Sequence, residues 1–161
     1  MKPATRRATP YAQTLPVMLM RAREAVAERF RPIFSAHGLT EQQWRVLRVL
    51  SGVTEVEVMA LARLVFLRGP SLSRILKDMA ERGLISRKTT ANDRRVGLIS
   101  ITPAGKVLIA ETAPEALKAG LEVSRLFGQD RMDQLQRLLG ELEAALTQDA
   151  ARVEEPVSAA L

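Results

Sequence analysis

The sequence predicts a mainly α-helical fold carrying one small β-hairpin, on three observations. Apolar residues recur at helical spacing over most of the chain. Glycine and proline fall where helices stop or start. Only the segment 84–101 departs from this, with two short strand-like runs flanking a polar, cationic turn.

The segment 1–14 holds Pro3, Pro10 and basic residues with little apolar pattern, and is expected to be a flexible basic arm. A first helix is expected over Leu15–Ala36, with Pro32 kinking it or ending its regular part and Gly38 breaking it. Thr40 followed by Gln43 is a capping-box pattern that starts a second helix, running to about Leu50 before Gly52. A short extended piece, Thr54–Glu57, leads into a third helix over Val58–Phe66. Gly69-Pro70 opens a fourth helix that runs to Arg82, with Gly83 as its C-cap. Leu84–Thr89 and Val96–Ile101 read as the strands of the hairpin, and Ala91–Arg95 as its turn. Thr102 then caps a helix with Pro103 in its first turn, and helical pattern persists to about Asp149. Pro114 is expected to kink or split this last stretch, and Gly128 to divide it again. The segment 150–161 reads as a tail.

Short helices followed by a hairpin with a basic tip form a winged helix-turn-helix. The expected organisation is therefore one domain over 15–149, with the winged helix-turn-helix at about 40–101. Flanking helices at about 15–37 and 102–149 supply a helical dimerisation region.

Composition narrows the function. The chain has 161 residues and a formal charge of +6, a balance that suits a polyanion such as nucleic acid or simply a soluble basic protein. There is no cysteine, which excludes disulfides, thiolate metal sites and thiol-based redox sensing by this chain. A single histidine puts a His cluster or multi-His zinc site out of reach, so no metal and no cofactor are expected. No nucleophile–base pair or phosphate-cradling glycine loop supports an enzyme. Apolar stretches are broken by charge well short of the roughly 18 residues of a membrane span. The run Leu15–Met20 ends at Arg21, which argues against a signal peptide, so a cytoplasmic protein with no membrane partner is expected.

On the fourth helix, Leu72, Ile75, Leu76 and Met79 share one face at i, i+3, i+4 and i+7. Arg74 and Lys77 point the opposite way with Ser73 beside them, and Ser71 sits at the helix start, where free N–H groups suit a phosphate. Such a helix is apolar behind and hydrogen-bonding in front, as a recognition helix must be, although an ordinary solvated face shares the pattern. Arg74 is the candidate for a guanine edge, because its planar fork can meet O6 and N7 together. At the hairpin tip, Arg94 and Arg95 are placed to enter the minor groove, with Asp93 shaping the wing through an ion pair. Two basic elements on one fold favour DNA over the solvated-face alternative.

These residues resemble the multiple-antibiotic-resistance regulator (MarR) family. The matching stretches are Leu39 through Leu47, Gly69 through Leu76, Arg82-Gly83-Leu84-Ile85, and Asp93-Arg94-Arg95 with Leu98 through Leu108. The Asp-x-Arg wing, Asp93 to Arg95, followed by a Leu/Ile strand and Thr102-Pro103-Ala104-Gly105 is a specific combination. Arg21 through Ala25, Phe30-Arg31-Pro32 and Thr40 through Leu50 look like the repressors of homoprotocatechuate (hydroxyphenylacetate) degradation. The resemblance implies a homodimeric, DNA-binding repressor of aromatic catabolism, released by a small aromatic acid or related phenolic metabolite. It also implies a pseudo-palindromic double-stranded operator. The alternative is a ligand-independent or architectural winged-helix DNA-binding protein.

An effector site is suggested on the first helix. With Leu19 at 0°, Arg23 falls at about 40°, Val26 at about 340° and Phe30 at about 20°, so Arg23 lies amid an apolar face. A guanidinium there needs a partner: a ligand carboxylate, an intramolecular glutamate, or solvent reached by snorkelling. His37 returns near 0° if the helix persists past Pro32, and Trp44 begins the next apolar stripe. Both could serve an aromatic acid, and both could be plain core. Finally, Met132, Leu135, Leu139, Leu142 and Leu146 recur at intervals of three and four, with Leu138 widening the stripe. This seam would pair two copies about a two-fold axis, or pack on the preceding helix of a monomer.

Overall fold

A computed structural model describes residues 11–89 and 97–154. After a 3₁₀ turn at Tyr11–Gln13, the order is α1 Leu15–Ala36, α2 Glu41–Ser51, β1 Val56–Glu57, α3 Val58–Leu64, α4 Gly69–Glu81, β2 Ile85–Thr89, β3 Gly97–Ile101, α5 Pro103–Phe127 and α6 Gln129–Glu154. The chain divides into two compact units between Ala119 and Gly120, inside α5.

The helix boundaries follow local chemistry. The Thr40 hydroxyl accepts from the Gln43 N–H, and the Gln43 side chain accepts from the Thr40 N–H, closing the capping box that starts α2. Gly83, at φ 69°, ends α4, and the next amide, Leu84 N–H, reaches back to the Met79 carbonyl at 2.9 Å. Pro32 lies inside α1 without ending it. The Glu28 carbonyl that it leaves without a donor belongs to an exposed residue, where water can satisfy it.

Of the two outcomes expected of Pro114, the split does not occur: α5 runs through it from Pro103 to Phe127, and the carbonyl it frees is that of exposed Ala110. Two features differ from the sequence reading. The third helix stops at Leu64, two residues short of Phe66, because Phe66 takes φ 52° and cannot continue it. The extended piece before that helix joins the hairpin. Val56 pairs with Ile99 and Glu57 with Leu98, giving a three-stranded antiparallel sheet of order β1-β3-β2. Such a two-residue strand has no periodicity of its own to read.

The core of the first unit lies beneath the helix-turn-helix. Val46, Leu47 and Leu50 from α2, Leu61 from α3, Leu72, Leu76 and Met79 from α4, and Ile99 from β3 are fully buried. The expected strands pair over Ile85↔Ile101 to Thr89↔Gly97. In the second unit, α6 presents Leu135, Leu138, Leu139 and Leu146 as exposed residues, with Met132 and Leu142 half-buried.

Candidate nucleic-acid interface and effector cavity

The anticipated division of α4 is present. Leu72, Leu76 and Met79 are fully buried and Ile75 is half-buried, while Ser71, Ser73, Arg74 and Lys77 are exposed. Arg68 is the N-cap residue, and no side chain caps the helix. The first N–H groups of α4 are therefore open to an anion, beside an exposed cation. Lys77 lies 3.8 Å from Glu81 in an exposed pair of little energetic weight. Among the described residues no carboxylate lies within ion-pair distance of Arg74. Behind the helix, Gln43 Nε2 donates to Asp78 Oδ2 at 2.7 Å, and Arg82 lies 3.6 Å from the same oxygen. This mostly buried glutamine ties α2 to α4. The wing ladder is braced toward its turn end, where Lys88, paired with Leu98, donates to Glu55 at 3.0 Å. The tip residues Asp93, Arg94 and Arg95 lie outside the described residues.

A cavity of about 590 Å³ opens in the same unit, lined by Phe30, Trp44, Arg48, Ala113, Pro114 and Leu117 among others. Its aromatic wall is ordered by stacking: Phe30 and Phe34 have ring centroids 6.0 Å apart, and Phe34 and Trp44 5.2 Å apart. The Arg48 guanidinium sits 5.9 Å from the Trp44 ring centre, within cation–π range. Ala110, whose carbonyl Pro114 deprives of its helical donor, also lines the space. An aromatic wall and one cation together suit a small aromatic acid.

Of the effector candidates read from sequence, Trp44 lines this cavity; Arg23 and His37 do not. Arg23 is half-exposed and donates to Glu41 at 2.5 Å, with Glu24 3.6 Å away. Glu24 in turn accepts from Arg31, and this bond, helped by the charges of Arg31 and Arg23, holds its carboxyl below the usual carboxylate range. Glu24 likewise holds the Arg31 guanidinium above its ordinary value. His37 caps the end of α1, with Nε2 3.5 Å from Glu115. Sequence reasoning missed Arg48. Its signal was the Trp44–Arg48 spacing of four, which stacks the two side chains on one helix face.

No helix among the described residues is long and apolar enough to cross a membrane, and no group of side chains among them could hold a metal ion.

Comparison with known proteins agrees with this architecture. A sequence model of the MarR family matches residues 37–96. The homoprotocatechuate degradative operon repressor of Escherichia coli is 37% identical over 131 residues, covering 81% of this chain and 88% of the relative. The crystal structure of NadR in complex with 4-hydroxyphenylacetate is similar at 30% identity and a TM-score of 0.71, covering 85% of this chain and 97% of that one. The repressor CouR bound to a 23-mer DNA duplex is similar at 25% identity and a TM-score of 0.75, covering 82% of this chain and 94% of that one. With a relative this similar over most of both chains, and with the paired hairpin strands and the split α4 face in place, the chain belongs to the MarR family of transcriptional regulators.

Proposed function

We propose that this protein is a homodimeric, cytoplasmic transcriptional repressor, released from a pseudo-palindromic operator by a small aromatic carboxylate, and that it controls aromatic-compound catabolism. The observation that carries the reading is the cavity on α2, where a cation faces an aromatic wall on the helix that packs directly behind the recognition helix. The E. coli relative represses a homoprotocatechuate operon and NadR binds 4-hydroxyphenylacetate, which supports the ligand class.

In this reading α4 enters the major groove. Arg74 meets a guanine, Ser73 and Lys77 make polar contacts beside it, and Ser71 with the open N-terminus of α4 takes a phosphate. Arg94 and Arg95 reach the minor groove, steadied by Asp93. The seam Met132, Leu135, Leu139, Leu142 and Leu146 pairs two copies, so that two recognition helices fall about one helical turn of DNA apart, roughly 34 Å. The effector ring rests on Trp44, and its carboxylate pairs with Arg48. Arg23, on α1, and His37, at its C-terminal end, lie outside this cavity and in this reading do not touch the acid. Binding can relieve repression only if the ligand prefers one spacing of the recognition helices to another.

A thermal-shift panel of hydroxylated and methoxylated aromatic acids tests the assignment. At a hundredfold excess over Kd, a binder adds about 2.7 kcal/mol of stability. The melting temperature should rise with 4-hydroxyphenylacetate or a close analogue, and Arg48→Ala and Trp44→Ala should each remove the rise. No response to any acid would leave a ligand-independent DNA binder.

A further inference from the structure

The ion pair between Arg23 and Glu41 continues into the helix-turn-helix. Glu41 Oε1 accepts from Arg23 at 2.5 Å and also from Arg45 Nη2 at 2.8 Å. Arg45 turns its other nitrogen, Nη1, onto the carbonyl of Val65 at 2.8 Å. Val65 is fully buried and ends α3. No backbone N–H among the described residues donates to that carbonyl, so Arg45 supplies its hydrogen bond. The next residue, Phe66, is the sole non-glycine among the described residues at positive φ, and the residue is 78% exposed. Packing of the ring therefore does not hold this strained turn. Its hydrogen bonds do: Phe66 N–H to Arg63 at 3.2 Å, Leu67 N–H to Ala62 at 3.0 Å, and Arg45 to Val65. Three residues after Phe66, α4 begins. Side-chain exposure falls from 56% at Arg23 to 28% at Glu41 and 30% at Arg45, so the inner half of the line is partly withdrawn from water.

We propose that Arg45 is a positioning residue for the recognition helix, and that Arg23 keeps it in place by sharing the Glu41 carboxylate. A carboxylate with a single arginine partner favours the fork geometry, in which both guanidinium nitrogens face the two oxygens. Here Arg23 and Arg45 share the one oxygen Oε1, so Arg23 takes up part of the Glu41 charge, the pull on Arg45 is weaker, and Nη1 stays on Val65. Without Arg23, Glu41 draws both nitrogens of Arg45. The buried Val65 carbonyl then loses its donor, an arrangement costly enough that the turn rearranges and α4 shifts with it. An anion that captured Arg23 would act in the same direction. The proposal requires only that α4 reads DNA and is independent of the effector cavity.

The test is a rescue, made without any effector. Full-length wild type, Arg23→Ala, Glu41→Gln, the double variant Arg23→Ala/Glu41→Gln, and Arg45→Met are titrated against a duplex selected in vitro by the wild type. Melting curves establish that each variant is folded. Arg23→Ala should weaken duplex binding roughly tenfold, the scale of one hydrogen bond from a charged donor. Glu41→Gln, an amide with no pull toward a fork, should bind nearly as wild type. The double variant should recover wild-type affinity, which simple loss of a surface ion pair would not produce. Arg45→Met should bind weakly, and adding Glu41→Gln to it should not help. Amide hydrogen exchange at Phe66 and Leu67 should follow the same order, fast in Arg23→Ala and Arg45→Met and slow in the rescued protein, in the absence of DNA. If the wild type selects no duplex, the DNA-binding reading fails and the exchange measurement alone decides the relay. Unchanged affinity and exchange in Arg23→Ala, or a double variant no better than Arg23→Ala, would overturn it.

Discussion

Replacing Gly105 by alanine should destabilise the protein even though alanine is the better helix former. Gly105 is buried in the first turn of α5, where its N–H donates to the Thr102 hydroxyl at 3.1 Å. A Cβ at this position would lie 2.3 Å from the Leu84 carbonyl oxygen and 2.8 Å from Ile101 Cγ1. The first contact is about 1 Å short of ordinary van der Waals separation, and the atom in the way is backbone. That oxygen cannot withdraw freely, because it accepts from Thr102 N–H at 3.1 Å, while the Thr102 hydroxyl donates to the Gly83 carbonyl at 2.6 Å. Overpacking of this kind costs about 1–3 kcal/mol, at the upper end where backbone must move. The helix-propensity gain of about 1 kcal/mol opposes it. A net loss of about 2 kcal/mol lowers the melting temperature of a chain this size by roughly 4–8 °C. Gly140, in the middle of α6 with nothing within 4 Å of its would-be Cβ, is the control. The same substitution there keeps only the propensity gain and should raise the melting temperature by roughly 2–4 °C. Differential scanning calorimetry of both variants measures the contrast. Gly105→Ala melting at or above the wild type would refute the reasoning, and with it this account of the Thr102-Pro103-Ala104-Gly105 joint between wing and α5.

Other outcomes follow from the same geometry. Arg74→Ala should cost about 1–3 kcal/mol at the operator and relax base preference at one position in each half-site, checked by repeating the selection with the variant. A dimer contacting roughly 8 phosphates should lose affinity with salt at a log–log slope of about −7, and a flat response would contradict the basic interface. The Glu24–Arg31 pair has a pH signature of known sign. Because Glu24 titrates below the usual carboxylate range in the folded chain, its contribution is present above the unfolded carboxyl pKa and is lost as pH falls through the folded one. Carboxyl NMR should show Glu24 titrating later than an unpaired glutamate on acidification, and returning to the usual range in Arg31→Ala.

Much of the fold was legible because its signals are local. The Thr40 box, the Gly83 stop and the apolar stripe of α4 each state their structure within one or two turns of chain. The pairing of β1 with β3 was not legible, since its strand partners lie some forty residues apart and β1 is two residues long. Proline at position 114 left a kink and a split both open for a different reason: the rule against helix-interior proline weakens where the freed carbonyl belongs to an exposed residue, and exposure is a property of the fold. Arg23 shows the limit most plainly. Its helical angle revealed a cation among apolar neighbours, and an intramolecular glutamate stood among the possible partners. Which glutamate, and that Glu41 also holds Arg45, depends on how α1 and α2 pack. Arg48 was overlooked because a charged residue on an amphipathic helix looks solvated until the cavity beside Trp44 is seen.

The central claim is that one small acid and one operator compete through the protein. Calorimetry of 4-hydroxyphenylacetate binding, with and without saturating operator duplex, tests it most directly. A coupling of about 1–3 kcal/mol, usual for allosteric proteins, means that the operator should weaken ligand binding about 5–150-fold, and that the ligand should weaken operator binding by the same factor. Equal ligand affinity in the presence and absence of operator would contradict the account.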